Sequence, residues 1–199
     1  MLKLGLTGSI ATGKSTALRA FAALGVPTFS SDDAVHELYE GDAVAPLGKI
    51  FPDVIHGGKV DRTALSKWLV SHPEDLQKVE AIVHPLVRAR VGDFLSHAAA
   101  TGARLAVVDI PLLFETGHDY GLDVVLVTVV DEAILRQRAM ARPGMTVEKL
   151  ETILARQLPQ ADKKRRADYV IDTAGSIPET EAAVAALVDR LTGDLNGTI

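Results

Sequence analysis

A glycine-rich segment near the N-terminus has the residue types and spacing that most directly suggest chemistry. Residues 8–15 read GSIATGKS and fit the pattern GxxxxGK followed by Ser or Thr. The glycines of such a loop let successive backbone N–H groups converge on phosphate oxygens, and the helix that follows adds a favourable field. Lys14 would contact the β- and γ-phosphates, and Ser15 would supply a hydroxyl to Mg²⁺. The residues predicted to bind the nucleotide are Gly8, Ala11, Thr12, Gly13, Lys14, Ser15 and Thr16.

Two aspartates are placed where a second substrate or a metal would bind. Ligands of open parallel α/β sheets bind beyond the carboxyl ends of the strands, and Asp32 and Asp109 each end or follow a predicted strand. Asp32 is the candidate base that accepts a hydroxyl proton during phosphoryl transfer, and Asp109 is a candidate metal ligand acting through water. Asp32 is also predicted to cap a helix over residues 34–39, a role compatible with the first.

Several arginines follow in the second half of the chain. Arg136, Arg138 and Arg142 lie on one predicted helix and Arg156 on the next, where they would close over phosphates. Arginines of this kind stabilise the transition state of phosphoryl transfer by factors of roughly 10³ to 10⁵. A solvated basic helix face is the alternative. The charged run 163–166 is interpreted as surface.

Short apolar strands alternating with helices must position these residues. Continuous apolar strands between helical segments indicate a parallel sheet covered on both faces. The strands are predicted at 2–7, 26–30, 104–110, 124–130 and 169–171. The stretch 32–101 shows no clear strand and is predicted to be helical, with a cap at Asp61 and a break at His84-Pro85, because proline disfavours helix in the residue before it.

The composition limits the classes of protein to consider. The chain of 199 residues has a formal net charge of −5, which disfavours a nucleic-acid binder, and no cysteine, which excludes disulfides and thiolate metal sites. The longest apolar stretch is too short to span a bilayer. We expect a cytoplasmic protein with no membrane or nucleic-acid partner, present as a monomer or a weak homo-oligomer.

The nucleotide loop alone leaves switch, motor and kinase open. A guanine-specific switch needs an NKxD-like loop, whereas Asn196 is the one asparagine of the sequence. A small-molecule kinase is therefore favoured. A nucleoside or nucleoside-monophosphate kinase and a nucleotide-dependent regulatory switch stay open as alternatives, and a structural module is least favoured because it gives no reason for Lys14 to follow the loop.

Taken together, the motifs resemble the dephospho-coenzyme A kinases over nearly the whole chain. The segments that carry the resemblance are GLTGSIATGKS, SDDAVHELY, GGKVDRTALSKWLV, VEAIVHPLV, DIPLLFE, RAMARPGMT and ADYVID. It implies an α/β P-loop fold with a five-stranded parallel sheet flanked by helices. Within a single kinase domain spanning 1–199, it implies a core of 1–30, 102–135 and 163–199, a helical substrate-binding lobe at 31–101 and a lid at 136–162.

The resemblance also implies an activity and its residues. The reaction is transfer of the γ-phosphoryl group of ATP, with Mg²⁺, to the ribose 3′-hydroxyl of dephospho-coenzyme A, the last step of coenzyme A biosynthesis. Asp32 matches the family's proposed base, and Arg138 and Arg142 match its lid arginines, while Lys14 holds phosphate. The residues implied near the acceptor are Asp32, His84, Pro85, Leu112 and Leu113.

Three positions depart from the family pattern. Ser30 stands where the family commonly has the first of two aspartates, and Thr173 stands where it often has asparagine after VID. Leu135 occupies the place of a lid glutamine found in many members. The adenine-contacting residues are therefore not assigned from the resemblance.

Overall fold

A computed structural model describes residues 1–193 of the chain. Residues 194–199, which include Asn196 and the end of the predicted core, lie outside the described residues. The chain divides into two compact units, one formed by Met1–Phe29 with the chain from Leu95 onward, and the other by Ser30–Phe94. None of the helices within residues 1–193 is long and apolar enough to cross a bilayer.

Strands and helices alternate along most of the described chain. The strands within residues 1–193 are β1 Leu2–Gly8, β2 Thr28–Ser30, β3 Ile55–His56, β4 Lys59–Val60, β5 Leu105–Asp109, β6 Val124–Val129 and β7 Tyr169–Asp172. The α-helices of the same range are α1 Lys14–Ala23, α2 Ser31–Leu38, α3 Val44–Ile50, α4 Arg62–Ser71, α5 Leu76–Ala100, α6 Leu113–Thr116, α7 Glu132–Met140, α8 Val147–Ala155, α9 Gln160–Arg166 and α10 Ile177–Gly193.

A five-stranded parallel sheet forms the centre of the first unit, as the sequence predicted. Its strand order is β2-β5-β1-β6-β7. The central strand β1 pairs in parallel with β5 on one side and β6 on the other, so that Leu4 lies opposite both Val107 and Val124. Because β1 is central, the loop that leaves its carboxyl end emerges between two neighbouring strands, where ligands of such sheets bind.

Helices α1 and α10 pack together against one face of this sheet. The buried residues of α1 are Ala17, Ala20 and Phe21, and those of α10 include Val184 and Leu187, spacings that place each set on one side of its helix. They share one apolar cluster with buried residues of β1, β5, β6 and β7. This packing holds α1, and therefore the start of α1 at Lys14, rigidly against the sheet.

The second unit contains a small hairpin that the sequence analysis missed. Strands β3 and β4 pair antiparallel and are joined by Gly57 and Gly58, both with positive φ. The expectation of no strand in 32–101 is therefore wrong. The Gly-Gly pair was the available signal, because the two-residue type I′ hairpin turn needs positive φ at both central positions. The predicted cap is confirmed, since the Asp61 carboxylate accepts hydrogen bonds from the backbone of Thr63 and Ala64 in α4.

The predicted break at His84-Pro85 is also wrong, because helix α5 continues through Pro85. A proline inside a helix removes one hydrogen bond and crowds the carbonyl four residues earlier, which costs roughly 3 kcal/mol. Burial of one apolar face of α5 offsets that cost. Valines at every fourth position are buried on both sides of the proline, namely Val79, Val83, Val87 and Val91.

Candidate active site

The loop between β1 and α1 has a backbone that few side chains tolerate. Ala11 and Gly13 both have positive φ, at 60° and 77°. A Cβ at Gly13 would lie 3.0–3.2 Å from atoms of Thr173, and one at Gly8 would collide with the hydroxyls of Thr12 and Thr128. Glycine is therefore required at Gly8 for lack of space, whereas at Gly13 the space is tight and the positive φ favours glycine as well.

Buried threonine hydroxyls fix this loop to the sheet. The Thr12 hydroxyl lies 2.8 Å from the Ser9 carbonyl, to which it donates, and 2.9 Å from the Thr128 hydroxyl of β6. Thr12 was predicted from the sequence, whereas Thr128 was not. A single threonine inside the apolar strand VVLVTVV was the signal, because a buried hydroxyl needs a hydrogen-bond partner.

Lys14 and Asp109, predicted separately as a phosphate ligand and a metal ligand, form an ion pair. Lys14 opens α1, Asp109 ends β5, and their side chains are 13% and 4% exposed. Ser15 is exposed in the same first turn of α1 as Lys14. A hydroxyl and a carboxylate are oxygen ligands of the kind that Mg²⁺ takes together with substrate phosphates, so these residues fit a magnesium ion.

The hairpin of α7 and α8 packs directly on the nucleotide loop. Ile10 and Ala11 of the loop share an apolar cluster with the hairpin residues Ala139, Met145, Leu150 and Leu154. The backbone N–H of Ile10 donates to the Gln157 side chain at 3.0 Å, just beyond α8. The loop and the predicted lid segment are thus in contact through both packing and a hydrogen bond.

The predicted arginines differ in what they contact. Arg138 donates to both the hydroxyl and the carbonyl of Thr173. Arg136 pairs with Glu151 and Glu132, and these hydrogen bonds raise the pKa of Arg136. Arg142 is exposed at the turn between the two helices, as is Arg156 after α8. The Arg136 guanidinium is therefore used in ion pairs with carboxylates, whereas Arg138 lies beside the nucleotide loop.

The charged run 163–166 is surface only in part. Lys163 is fully buried and its ammonium lies 2.8 Å from the carboxylate of Glu115 in α6, so the surface interpretation is wrong for this residue. The same carboxylate accepts a hydrogen bond from the Leu158 backbone. A lysine is almost never fully buried unless it is paired, and here the pair joins the segment after α8 to DIPLLFE.

Asp32 lies in the first turn of α2, but it is not the cap. The cap is Ser30, whose hydroxyl accepts a hydrogen bond from the Asp33 backbone at 3.2 Å. The predicted capping role of Asp32 is therefore wrong, and the serine that departs from the family pattern performs it. Asp32 and Asp33 are both exposed. The Asp32 carboxylate is accordingly not used for capping.

The residues implied near the acceptor lie in both units. His84 and Pro85 occupy the middle of α5 in the second unit, with His84 half-buried and Pro85 exposed. Leu112 and Leu113 begin the short helix α6 in the first unit. Leu113 is 7% exposed and packs beside Gly5 of β1, so only Leu112 of this pair has appreciable exposed surface.

Comparison with known proteins decides the family. The sequence model of dephospho-CoA kinase matches residues 2–179. The chain belongs to the dephospho-CoA kinase family. A relative from Rhizobium meliloti, named dephospho-CoA kinase, is 49% identical over 191 residues, which cover 96% of this chain and 98% of that protein.

Solved structures share the fold of this chain. The crystal structure of TT1252 from Thermus thermophilus has a TM-score of 0.81 at 33% identity, covering 96% of this chain and 97% of that one. The dephospho-CoA kinase from Campylobacter jejuni has the same fold, with a TM-score of 0.75 at 24% identity and coverages of 96% and 98%. The family resemblance, the phosphotransferase class and the P-loop kinase fold predicted from the sequence are confirmed.

The buried pair of Lys163 and Glu115 yields a prediction about stability. Lys163→Met should lower the free energy of unfolding by about 3 kcal/mol or more, because it leaves a buried carboxylate without its counter-charge. Denaturant unfolding would measure the loss. Lys164→Met is the matched control, since Lys164 is exposed and its replacement should change stability by less than about 0.5 kcal/mol. Equal effects of the two substitutions would contradict a structural role for the pair.

Proposed function

We propose that this chain transfers the γ-phosphoryl group of ATP to the ribose 3′-hydroxyl of dephospho-coenzyme A, giving coenzyme A and ADP. The observation that carries the proposal is the rigid loop of residues 8–13, followed at once by the Lys14–Asp109 pair, in a chain of this family. The loop supports phosphate binding, and family membership supports the acceptor.

The nucleotide is bound chiefly by the loop and the first turn of α1. The left-handed residues Ala11 and Gly13 turn the backbone so that its N–H groups can face phosphate oxygens. The first turn of α1 adds further unpaired N–H groups and the positive end of a helix. Lys14, held by Asp109, directs its remaining ammonium donors to the β- and γ-phosphates.

Ser15 and Asp109 are the residues proposed to hold Mg²⁺, Ser15 directly and Asp109 through water. When bound, the ion neutralises part of the charge on the phosphates. Asp109 is also proposed to orient Lys14, because its carboxylate forms an ion pair with the Lys14 ammonium.

Asp32 is the proposed general base. As the 3′-oxygen forms its bond to the γ-phosphorus and the bond to the β-phosphate oxygen breaks, the hydroxyl proton passes to the Asp32 carboxylate. Its position supports this role, since Asp32 follows the carboxyl end of β2 by two residues and Ser30 relieves it of capping α2.

Arg138 and Arg142 are proposed to stabilise the transferring phosphoryl group. Arg138 uses two N–H groups on Thr173, which leaves its other donors for phosphate oxygens. Arg142 lies exposed at the tip of the α7–α8 hairpin, where a closing lid would bring it over the nucleotide. Residues 136–162 are proposed to form this lid.

The lobe 31–101 is the proposed acceptor-binding lobe, with His84 and Pro85 as its contacts. Leu112 and Leu113 at the start of α6 are the other proposed contacts, and Leu113 is largely buried. An ATP-consuming activity needs a compartment supplied with ATP, so we place the protein in the cytoplasm. The monomeric or weakly associated state stays a prediction.

The experiment that tests the function is ADP release from ATP and Mg²⁺ with dephospho-coenzyme A, adenosine, AMP, CMP or no acceptor. We expect rapid release with dephospho-coenzyme A alone, and a product phosphorylated at the ribose 3′ position. Preference for a nucleoside or a monophosphate would overturn the acceptor assignment while retaining the nucleotide loop. Slow release that is indifferent to every acceptor would favour a regulatory switch.

Asp32 can be tested against its neighbour. Asp32→Asn should lower kcat about 10²-fold or more and leave the Kd for ATP nearly unchanged, because it removes the proton acceptor without touching the phosphate loop. Asp33→Asn is the matched control, since Asp33 is also exposed and its backbone N–H, which the cap uses, is retained. Wild-type kcat in Asp32→Asn would remove Asp32 from the mechanism.

A further inference from the structure

We propose that Thr173 is a positioning residue for phosphoryl transfer, because its single hydroxyl links the nucleotide loop to Arg138. This inference rests on the proposed function, in which Arg138 contacts the transferring group. Thr173 follows β7 directly and is 3% exposed, so it does not itself contact a substrate to any extent. Its effect on the reaction must therefore pass through the groups that it holds.

The hydroxyl of Thr173 lies among three groups from different parts of the chain. It donates to the Thr12 carbonyl in the nucleotide loop at 3.0 Å, with the Val129 carbonyl of β6 as a second acceptor at 3.3 Å. It also accepts a hydrogen bond from Arg138 at 3.3 Å. One hydroxyl thus joins the loop, the sheet and the α7 arginine.

The backbone of Thr173 strengthens both connections. Its carbonyl accepts a second hydrogen bond from the Arg138 guanidinium at 2.8 Å, so the arginine is held at two points. Its N–H donates to the Val129 carbonyl at 2.9 Å, as a continuation of the pairing between β7 and β6. Arg138 is therefore oriented relative to a fixed edge of the sheet.

The side chain of Thr173 also sets the position of Gly13. Its hydroxyl, Cβ and methyl group lie around the place where a Gly13 side chain would begin, so it fills the space that this glycine leaves. Gly13 immediately precedes Lys14 and the first turn of α1. The same residue therefore holds the end of the phosphate loop and the guanidinium proposed to act on the phosphate.

Removing the Thr173 hydroxyl without changing the bulk of the side chain tests the hydrogen bonds to the loop and to Arg138 apart from packing. Thr173→Val keeps the shape of the side chain but leaves the Thr12 carbonyl and one Arg138 N–H without this partner. Because a displacement of a catalytic group by about 1 Å can cost about 10²-fold in rate, we expect Thr173→Val to lower kcat by roughly 10- to 100-fold. Thr173→Ser, which keeps the hydroxyl, should retain kcat within about 3-fold.

The decisive test is a double-mutant cycle with Arg138→Met, measured on kcat for dephospho-coenzyme A. If Thr173 acts through Arg138, Thr173→Val should lower kcat in the wild-type background and change it by less than about 3-fold in the Arg138→Met background. The same factor in both backgrounds, or wild-type kcat in Thr173→Val, would overturn the proposal. A purely structural role would lower Tm without this dependence on Arg138.

Thr180→Val is the matched control. Thr180 is also buried, and its hydroxyl donates to the Ser176 carbonyl just before α10, away from the nucleotide loop and Arg138 in sequence. Its replacement should leave kcat unchanged in both backgrounds. Loss of kcat in Thr180→Val that matches the loss in Thr173→Val would contradict a specific role for Thr173.

A failure of the proposed function has a different signature. In that case the wild-type protein binds ATP but shows no ADP release that depends on dephospho-coenzyme A. The double-mutant cycle of Thr173→Val and Arg138→Met is then measured on the Kd for ATP with Mg²⁺. Titration calorimetry gives this Kd and requires no acceptor. A non-additive change in Kd supports the link between Thr173 and Arg138, and additive changes contradict it.

Discussion

The structure depends above all on the fixed backbone of the loop between β1 and α1. Gly8 has no room for a side chain, Gly13 has little, and Ala11 and Gly13 have left-handed φ angles. Such a backbone persists only where its surroundings hold it, and here Thr128 holds it through Thr12. The core formed by α1, α10 and the sheet fixes those surroundings. The shape of the phosphate site therefore depends on the stability of this core.

Three side chains, spaced three residues apart at the end of the lid segment and just beyond it, attach this part of the chain to the first unit. Gln157 binds the Ile10 N–H, Gln160 binds both backbone groups of Val130, and Lys163 pairs with Glu115. These contacts anchor the end of the segment, whereas the turn at Arg142 between α7 and α8 is exposed. Motion of a lid would therefore centre on that turn and not on the anchored end.

The sequence predicted the sheet and the phosphate loop well, because both have short-range signatures. Apolar strands and the spacing of the loop glycines can be recognised within a few residues of sequence. That glycine spacing was enough to identify Lys14. The capping by Ser30, the continuity of α5 through Pro85 and the burial of Lys163 were not predicted. The Ser30 cap is a local contact, since its hydroxyl accepts from the Asp33 backbone three residues on, but the cap was predicted at Asp32 instead. The other two features depend on partners distant in sequence or on packing that outweighs local propensity. The roles of Thr128 and Thr173 were missed for the same reason.

The most direct test of this account is the Kd for ATP of Gly13→Ala beside that of Gly25→Ala. Both glycines have φ of 77°, but only Gly13 has neighbours within reach of a Cβ, so the pair separates local strain from collision with Thr173. The account predicts that Gly13→Ala weakens ATP binding by roughly 10²-fold, about 2.7 kcal/mol, while Gly25→Ala binds like the wild type. Wild-type affinity in a folded Gly13→Ala protein would contradict it.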